Sequence, residues 1–188
     1  MARRAFAGAL LLSLGLLALF SGQSPAGELP SPSGPVVLTI AGQIGVSNRG
    51  PSDAELDQFL AYHEIGFAAA AEFDRAMLES LGTHEIELSY EKWSEVYKVS
   101  GPRLVDVLSA VGGQGRAITV TALDGYAEDV SAEELTARDW IVVLERNGRP
   151  LGIGGLGPLW IVYHVPGNTL SHDDEARWPW AVFFIEVH

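Results

Sequence analysis

The sequence predicts an α+β domain built on a mixed, barrel-like sheet. Three observations predict it. At least six short apolar segments carry the composition or the alternation of strands, and three or four short segments with helical spacing are inserted among them. The two kinds do not alternate regularly in the way that builds a doubly wound parallel sheet.

The elements follow in order. Val36 to Ile44 is a compact apolar run with β-branched residues and reads as a strand, ended by the turn-rich stretch Gly45 to Pro51. Ser52 and Glu55 have the spacing of a capping box, which predicts a helix with Leu56, Phe59 and Leu60 on its inner face. Asp74 is expected to cap a second helix that turns Met77, Leu78 and Leu81 inward and stops at Gly82. Ile86 and Leu88 alternate with Glu85, Glu87 and Ser89, the period of a half-buried strand running into Tyr90. Trp93 and Tyr97 then fall in a polar loop. After Gly101-Pro102, the spacing of Leu104, Val107, Leu108 and Val111 predicts a helix from Arg103, stopped by Gly112-Gly113. Ala117 to Leu123 is a strand, Asp124-Gly125 a turn, and Ser131 with Glu134 a second capping box. Trp140 to Arg146 is a strand closed by the hairpin dipeptide Asn147-Gly148, and Trp160 to Val165 and Ala181 to Val187 are the last two strands.

The first residues put Arg3 and Arg4 ahead of the apolar run Ala5 to Phe20, with small residues at Ser24 and Ala26. That order predicts a cleavable export signal over residues 1–26. Residues 27–35, rich in Pro, Ser and Gly, read as a flexible leader, and residues 36–188 as one domain. The apolar run is shorter than the roughly 20 residues of a spanning helix, so the mature chain is expected to be periplasmic or secreted and not membrane-embedded. A mature length of about 160 residues suits a single domain with its own core. The chain has no cysteine, which excludes disulfides, thiolate metal ligands, a cysteine nucleophile and a lipid-anchored cysteine. Its formal net charge of −12 disfavours nucleic acid and anionic membrane surfaces as partners.

Few motifs carry chemistry. Gly152-Ile153-Gly154-Gly155-Leu156-Gly157 fits G-x-G-x-x-G, but Pro158 and a strand follow where a dinucleotide site needs a helix N-terminus. The glycines are therefore expected to serve a hairpin return in which backbone passes close to a neighbour or a flat ligand. His172-Asp173-Asp174 resembles metal ligands but lacks a metal-site spacing, and is expected to be an acidic solvated loop. His164, at a strand end, reads as an edge histidine. No serine stands in a G-x-S-x-G elbow, and carboxylates are too abundant for any catalytic pair to stand out. The aromatic residues are more informative, because Tyr and Trp combine a stacking face with a polar handle. Trp140, Trp160 and Trp180 are expected either as core or as ligand walls.

Several segments agree in order with one family: Phe73-Asp74 through Leu81, Trp93, Gly101-Pro102-Arg103-Leu104-Val105-Asp106-Val107-Leu108 with Gly112, Val120 to Tyr126, Asn147-Gly148-Arg149-Pro150-Leu151, Gly157-Pro158-Leu159-Trp160-Ile161-Val162-Tyr163, and Trp178-Pro179-Trp180 leading into Ile185-Glu186-Val187. From Val36 onward the chain resembles the oxidoreductase molybdopterin-binding domain, the sulfite oxidase fold. Catalytic members hold molybdenum through the pterin dithiolene and a cysteine in the segment matching Leu88 to Glu91, where this chain has none. Members commonly carry an arginine where Trp160 stands, so the resemblance implies a ligand with no phosphate or with a weaker anionic contact. It implies a non-catalytic, short exported branch without molybdenum, similar to periplasmic pterin-binding proteins that report to membrane sensor proteins controlling cyclic-di-GMP. A tetrahydropterin-like ring needs stacking faces and an acceptor for its amino-pyrimidinone edge. Tyr90, Trp93, Tyr126 and Trp160 are the expected walls, Asp124 the expected acceptor and Arg103 the expected positive contact, a surface arginine at a helix start being the plain alternative. Two other functions stay open: a molybdopterin-dependent oxidoreductase without cysteine ligation, and a scaffold protein whose pocket has decayed.

Overall fold

The computed structural model describes residues 29–165, 167 and 169–188, so the expected export signal and the first residues of the leader lie outside the described residues. The elements are β1 (Val36–Gly42), α1 (Gln58–Tyr62), β2 (Ala71–Asp74), α2 (Arg75–Ser80), β3 (His84–Tyr90), β4 (Tyr97–Gly101), α3 (Leu104–Ala110), β5 (Ile118–Ala122), β6 (Ala127–Val130), α4 (Ala132–Ala137), β7 (Trp140–Val143), β8 (Glu145–Arg146), β9 (Arg149–Pro150), β10 (Leu159–Tyr163), β11 (Thr169–Leu170), α5 (His172–Ala176) and β12 (Trp180–Val187).

β12 organises the larger, seven-stranded sheet, whose order is β2-β1-β12-β10-β7 with β5 and β6 branching from β12. Along one edge of β12, β10 pairs with Trp180 and Val182, and β1 pairs in parallel with Phe184 to Val187. β5 takes the opposite edge. One strand with three neighbours cannot stay flat. The edge passes from β10 to β1 between Val182 and Phe184, Ala181 just before it holds φ 56, and the pairing slips at Leu159/Trp160 and at Val182/Phe184. Such irregularities bend a strand and tighten its twist. The outcome is an α+β fold with a curled, half-barrel-like sheet, and a second sheet ordered β11-β3-β4-β8-β9 packs beside it.

The core fills the curl. β7 and β10 are buried at every position, as expected of strands covered on both faces. Leu38, Ile40, Val120, Ile161 and Ile185 lose all exposure, and α3 adds Leu104, Val107 and Leu108. Burying an aliphatic side chain of this size contributes roughly 1.5–3 kcal/mol, so this cluster is the main source of stability in a chain without disulfides.

Capping matches the sequence reading at both ends of α2 and at the start of α4. Asp74 accepts from Met77 N–H, Gly82 turns the chain away at φ 108, and Ser131 and Glu134 form a reciprocal capping box. Other expectations are corrected. Ser52 does not cap a helix, because its hydroxyl accepts from Phe67 N–H at 3.1 Å across a loop. Asp53 instead accepts from Glu55 and Leu56 N–H, and the helix begins only at Gln58. Leu60 alone of that expected face is buried, while Leu56 is 84% and Phe59 45% exposed. Tyr97 opens a strand that pairs with β3, where a loop was expected. His172-Asp173-Asp174 is helical, because Ser171 and Asp174 form a capping box of their own. Residues 29–35, expected to be loose, are fastened: Ser33 and Gly34 N–H both donate to Asp74 at 2.7 Å, and Asn48 donates to Pro30 O.

Candidate functional site: an aromatic groove

The glycine-rich segment before β10 makes a tight return, with Gly155 and Gly157 N–H both donating to Gly152 O. A Cβ at Gly157 would stand 2.7 Å from the Leu151 carbonyl carbon, so only glycine lets the chain re-enter there. No helix follows. The return delivers Trp160 into β10, and Ile161 N–H donates to Pro179 O, which brings Trp178-Pro179-Trp180 alongside.

A run of rings results. Tyr97 packs on Trp93 with centroids 4.6 Å apart, Trp93 on Trp160 at 6.1 Å, Trp160 on Trp178 at 5.8 Å, and Trp178 on Tyr163 at 5.5 Å. Most meet edge to face, the arrangement that the ring quadrupole favours. Trp160 is buried to 3% and Trp178 to 2% exposure, whereas Trp180 is 48% exposed. Of the three tryptophans read as core or wall, Trp140 belongs to the core, Trp160 shows an edge, and Trp180 presents a face.

Two clefts open on this run. One of about 180 Å³ is walled by Trp93, Trp160, Trp178 and Trp180, and one of about 250 Å³ is lined by Asp124, Tyr126 and Pro179. Glu175, Trp178 and Trp180 line both, so the clefts adjoin as one groove. Each alone falls below the roughly 300 Å³ of ordinary ligand sites, and only their union reaches that size.

The polar groups of the groove differ in access. The Trp178 Nε1–H is buried and has no acceptor, a cost of about 1–3 kcal/mol, whereas the carboxylates reach the surface. Asp124 uses one oxygen to accept from Tyr126 N–H at 3.0 Å and is exposed. Glu175 has the His172 imidazole Nδ1 at 4.0 Å and, among the described residues, no Lys or Arg within that distance. Behind them, Tyr126 donates to Glu128, and its phenol is pushed up to about 12 by burial of the hydroxyl end and then by that bond. Arg177 pins Glu128 and Glu134, and Glu134 is held down at about 2 by Arg177 first and the Ser131 N–H second.

No family model matches this chain, and none of the curated proteins does.

The expected site residues separate as follows. Trp93 and Trp160 line one cleft, and Asp124 and Tyr126 the other. Tyr90 lines neither. It is 5% exposed, packs edge-on beneath Trp93, and its hydroxyl lies 3.2 Å from His172 Nδ1, so it supports a wall. Arg103 precedes α3, pairs with Asp139 at 3.3 Å and is not among the residues lining the groove. Glu175, Trp178 and Arg146 line it without having been singled out as site residues, and Trp180, read as core or wall, lines both clefts. Their one signal was Trp178-Pro179-Trp180, two indoles around a residue that cannot continue a strand ladder. Among the described residues no group of three or more His, Asp or Glu is placed to hold a metal ion. A separate cleft of about 630 Å³ is lined by Gly42, Gly45, Gly66, His63, Phe67 and Phe184; the two phenylalanine rings stack at 6.4 Å, His63 Nε2 is buried without a partner, and among the described residues no tryptophan or tyrosine reaches it.

Proposed function

We propose that the groove binds a pterin-like heterocycle and that the protein is a non-catalytic, periplasmic ligand-binding regulator. The observation that carries this reading is the Trp93–Trp160–Trp178–Trp180 groove with two carboxylates on its rim. A planar aminopyrimidinone offers what those groups lack: a π face for the indoles and amino donors for Asp124 or Glu175. The motif order named above supports a finer assignment of the curled α+β fold to the sulfite oxidase fold. Molybdenum does not fit this chain. The segment matching the metal-ligating cysteine, Leu88 to Glu91, contains Tyr90, whose hydroxyl lies beside His172, and no thiolate exists anywhere in the sequence. Ligand occupancy would then be reported to the periplasmic part of a membrane sensor.

Calorimetric titration of a reduced pterin tests the reading. Binding is expected in the wild type, and Trp180→Ala, which removes an exposed face without opening the core, should weaken it about tenfold. Asp124→Asn should weaken it a few-fold. Equal affinity in all three proteins, or no binding to any, would remove the proposal.

A further inference from the structure

The β8–β9 hairpin sets Arg146 directly opposite Arg149. Residues so paired project to one face with Cβ atoms about 5 Å apart, and like charges there repel. Among the described residues most arginines are neutralised: Arg49, Arg75, Arg103, Arg138 and Arg177 each pair with Asp or Glu. Among the described residues neither Arg146 nor Arg149 has an acidic partner. Arg146 is held instead over the Tyr97 ring at 4.6 Å, an arrangement that fixes the guanidinium plane and leaves its N–H fork free.

Both arginines line a cleft of about 620 Å³ against the glycine return, and Arg146 and Leu156 are shared with the tryptophan cleft. The floor is bare, since a Cβ at Gly152 would meet nothing within 4 Å. Glu95 also reaches this cleft and pairs with neither arginine. Two unpaired guanidinium groups, forced together beside an open cleft, form an oxyanion receptor, because each offers planar N–H pairs that match carboxylate or phosphate oxygens.

We propose that this cleft is an anion subsite, adjoining the aromatic groove, that takes a phosphate or carboxylate tail on the bound heterocycle. The proposal rests on the pterin reading above. It places the anion contact on the Asn147-Gly148 hairpin and away from Trp160, where the resembling family carries its arginine. The groove then has a direction: carboxylates Asp124 and Glu175 at the ring's donor edge, indoles along its faces, and arginines at its tail.

The test titrates four probes into the chain at low and high salt: a pterin with a neutral hydroxyalkyl side chain, its phosphate ester, a pterin with a carboxylate tail, and pyrophosphate alone. At least one anionic pterin should bind about tenfold tighter than the neutral one, and that ratio, taken within each protein, should fall to about one at high salt and in Arg146→Gln/Arg149→Gln. The two anionic arms show which oxyanion the site prefers. Equal affinities for the three pterins in wild type and double variant overturn the subsite and leave the pterin reading standing. Arginine-dependent pyrophosphate binding without binding of any pterin supports the anion site and removes the pterin reading; no binding of any probe overturns both. Arg149 is exposed, so Arg149→Gln alone should fold, and relief of repulsion should raise its thermal midpoint in anion-free buffer. A lower midpoint would count against the repulsion that the proposal starts from.

Discussion

Asp74 and Trp178 are equally buried, each at 2% exposure, and their surroundings are opposite. The Asp74 carboxylate accepts from Met77, Ser33 and Gly34 N–H and from the Ser33 hydroxyl. The Trp178 N–H meets no acceptor. Asp74 secures the fold and the chain supplies every partner it uses, whereas the Trp178 donor, like His63 Nε2 and Arg103 Nε, is buried without one. Buried polar groups are nearly always satisfied, so such an exception costs stability instead of adding to it.

Breaking the first half of this contrast should have the largest effect. Asp74→Ala frees three N–H donors, uncaps α2 and releases residues 29–35, and should give the greatest fall in thermal midpoint of the variants named here, read by circular dichroism. A fall no larger than that of Trp178→Phe would erase the difference between the two regions.

Acid should act on the same half. The Met77 and Gly34 N–H groups hold the Asp74 carboxyl at about 2, below its ordinary value, and Glu134 is likewise at about 2. For a carboxyl depressed in the folded state, the unfolded chain binds the proton first. The stabilisation is therefore complete above about pH 4 and is lost as the pH falls towards 2. Denaturant midpoints measured from pH 6 to 2 should drop through that window, and less steeply in Asp74→Asn.

Trp178→Phe sharpens the second half with the smallest change. It puts a smaller ring in place of the indole and removes an unsatisfied donor, so ligand-free stability should shift by no more than about 1 kcal/mol, in either direction, while the reduced stacking face lowers pterin affinity about fivefold. Lost stability without lost affinity would make Trp178 a core residue only.

What could be read in advance from the sequence was what is local. Asp74, Gly82, Ser131 with Glu134, and Asn147-Gly148 act within a few residues of themselves, and the hairpin dipeptide takes φ 51 and 70 as its type requires. Ser52 failed because its hydroxyl was claimed by Phe67, fifteen residues away, a contact that no spacing reveals. β4 was hidden because Tyr97, Lys98 and Ser100 look polar, and only pairing with β3 makes them a strand. In the site, Trp93, Trp160, Asp124 and Tyr126 do reach the groove. Trp178 and Trp180 come beside Trp160 through the ladder of β10 and β12, and Arg146 meets Arg149 through the hairpin. Arg103 is the reverse case: a plausible cation in sequence, occupied by Asp139 in space.

The three neighbours of β12 have a consequence for timing. Thr39 pairs with Phe184, so the centre of the larger sheet joins stretches separated by most of the chain, and closing so long a loop slows folding toward the millisecond-to-second range. Until Trp180–Val187 has been made, β1, β5 and β10 lack their common neighbour, and three open edges wait for it. For a chain that must cross a membrane before it folds, as proposed here, that delay keeps the polypeptide threadable until its translocation is nearly done.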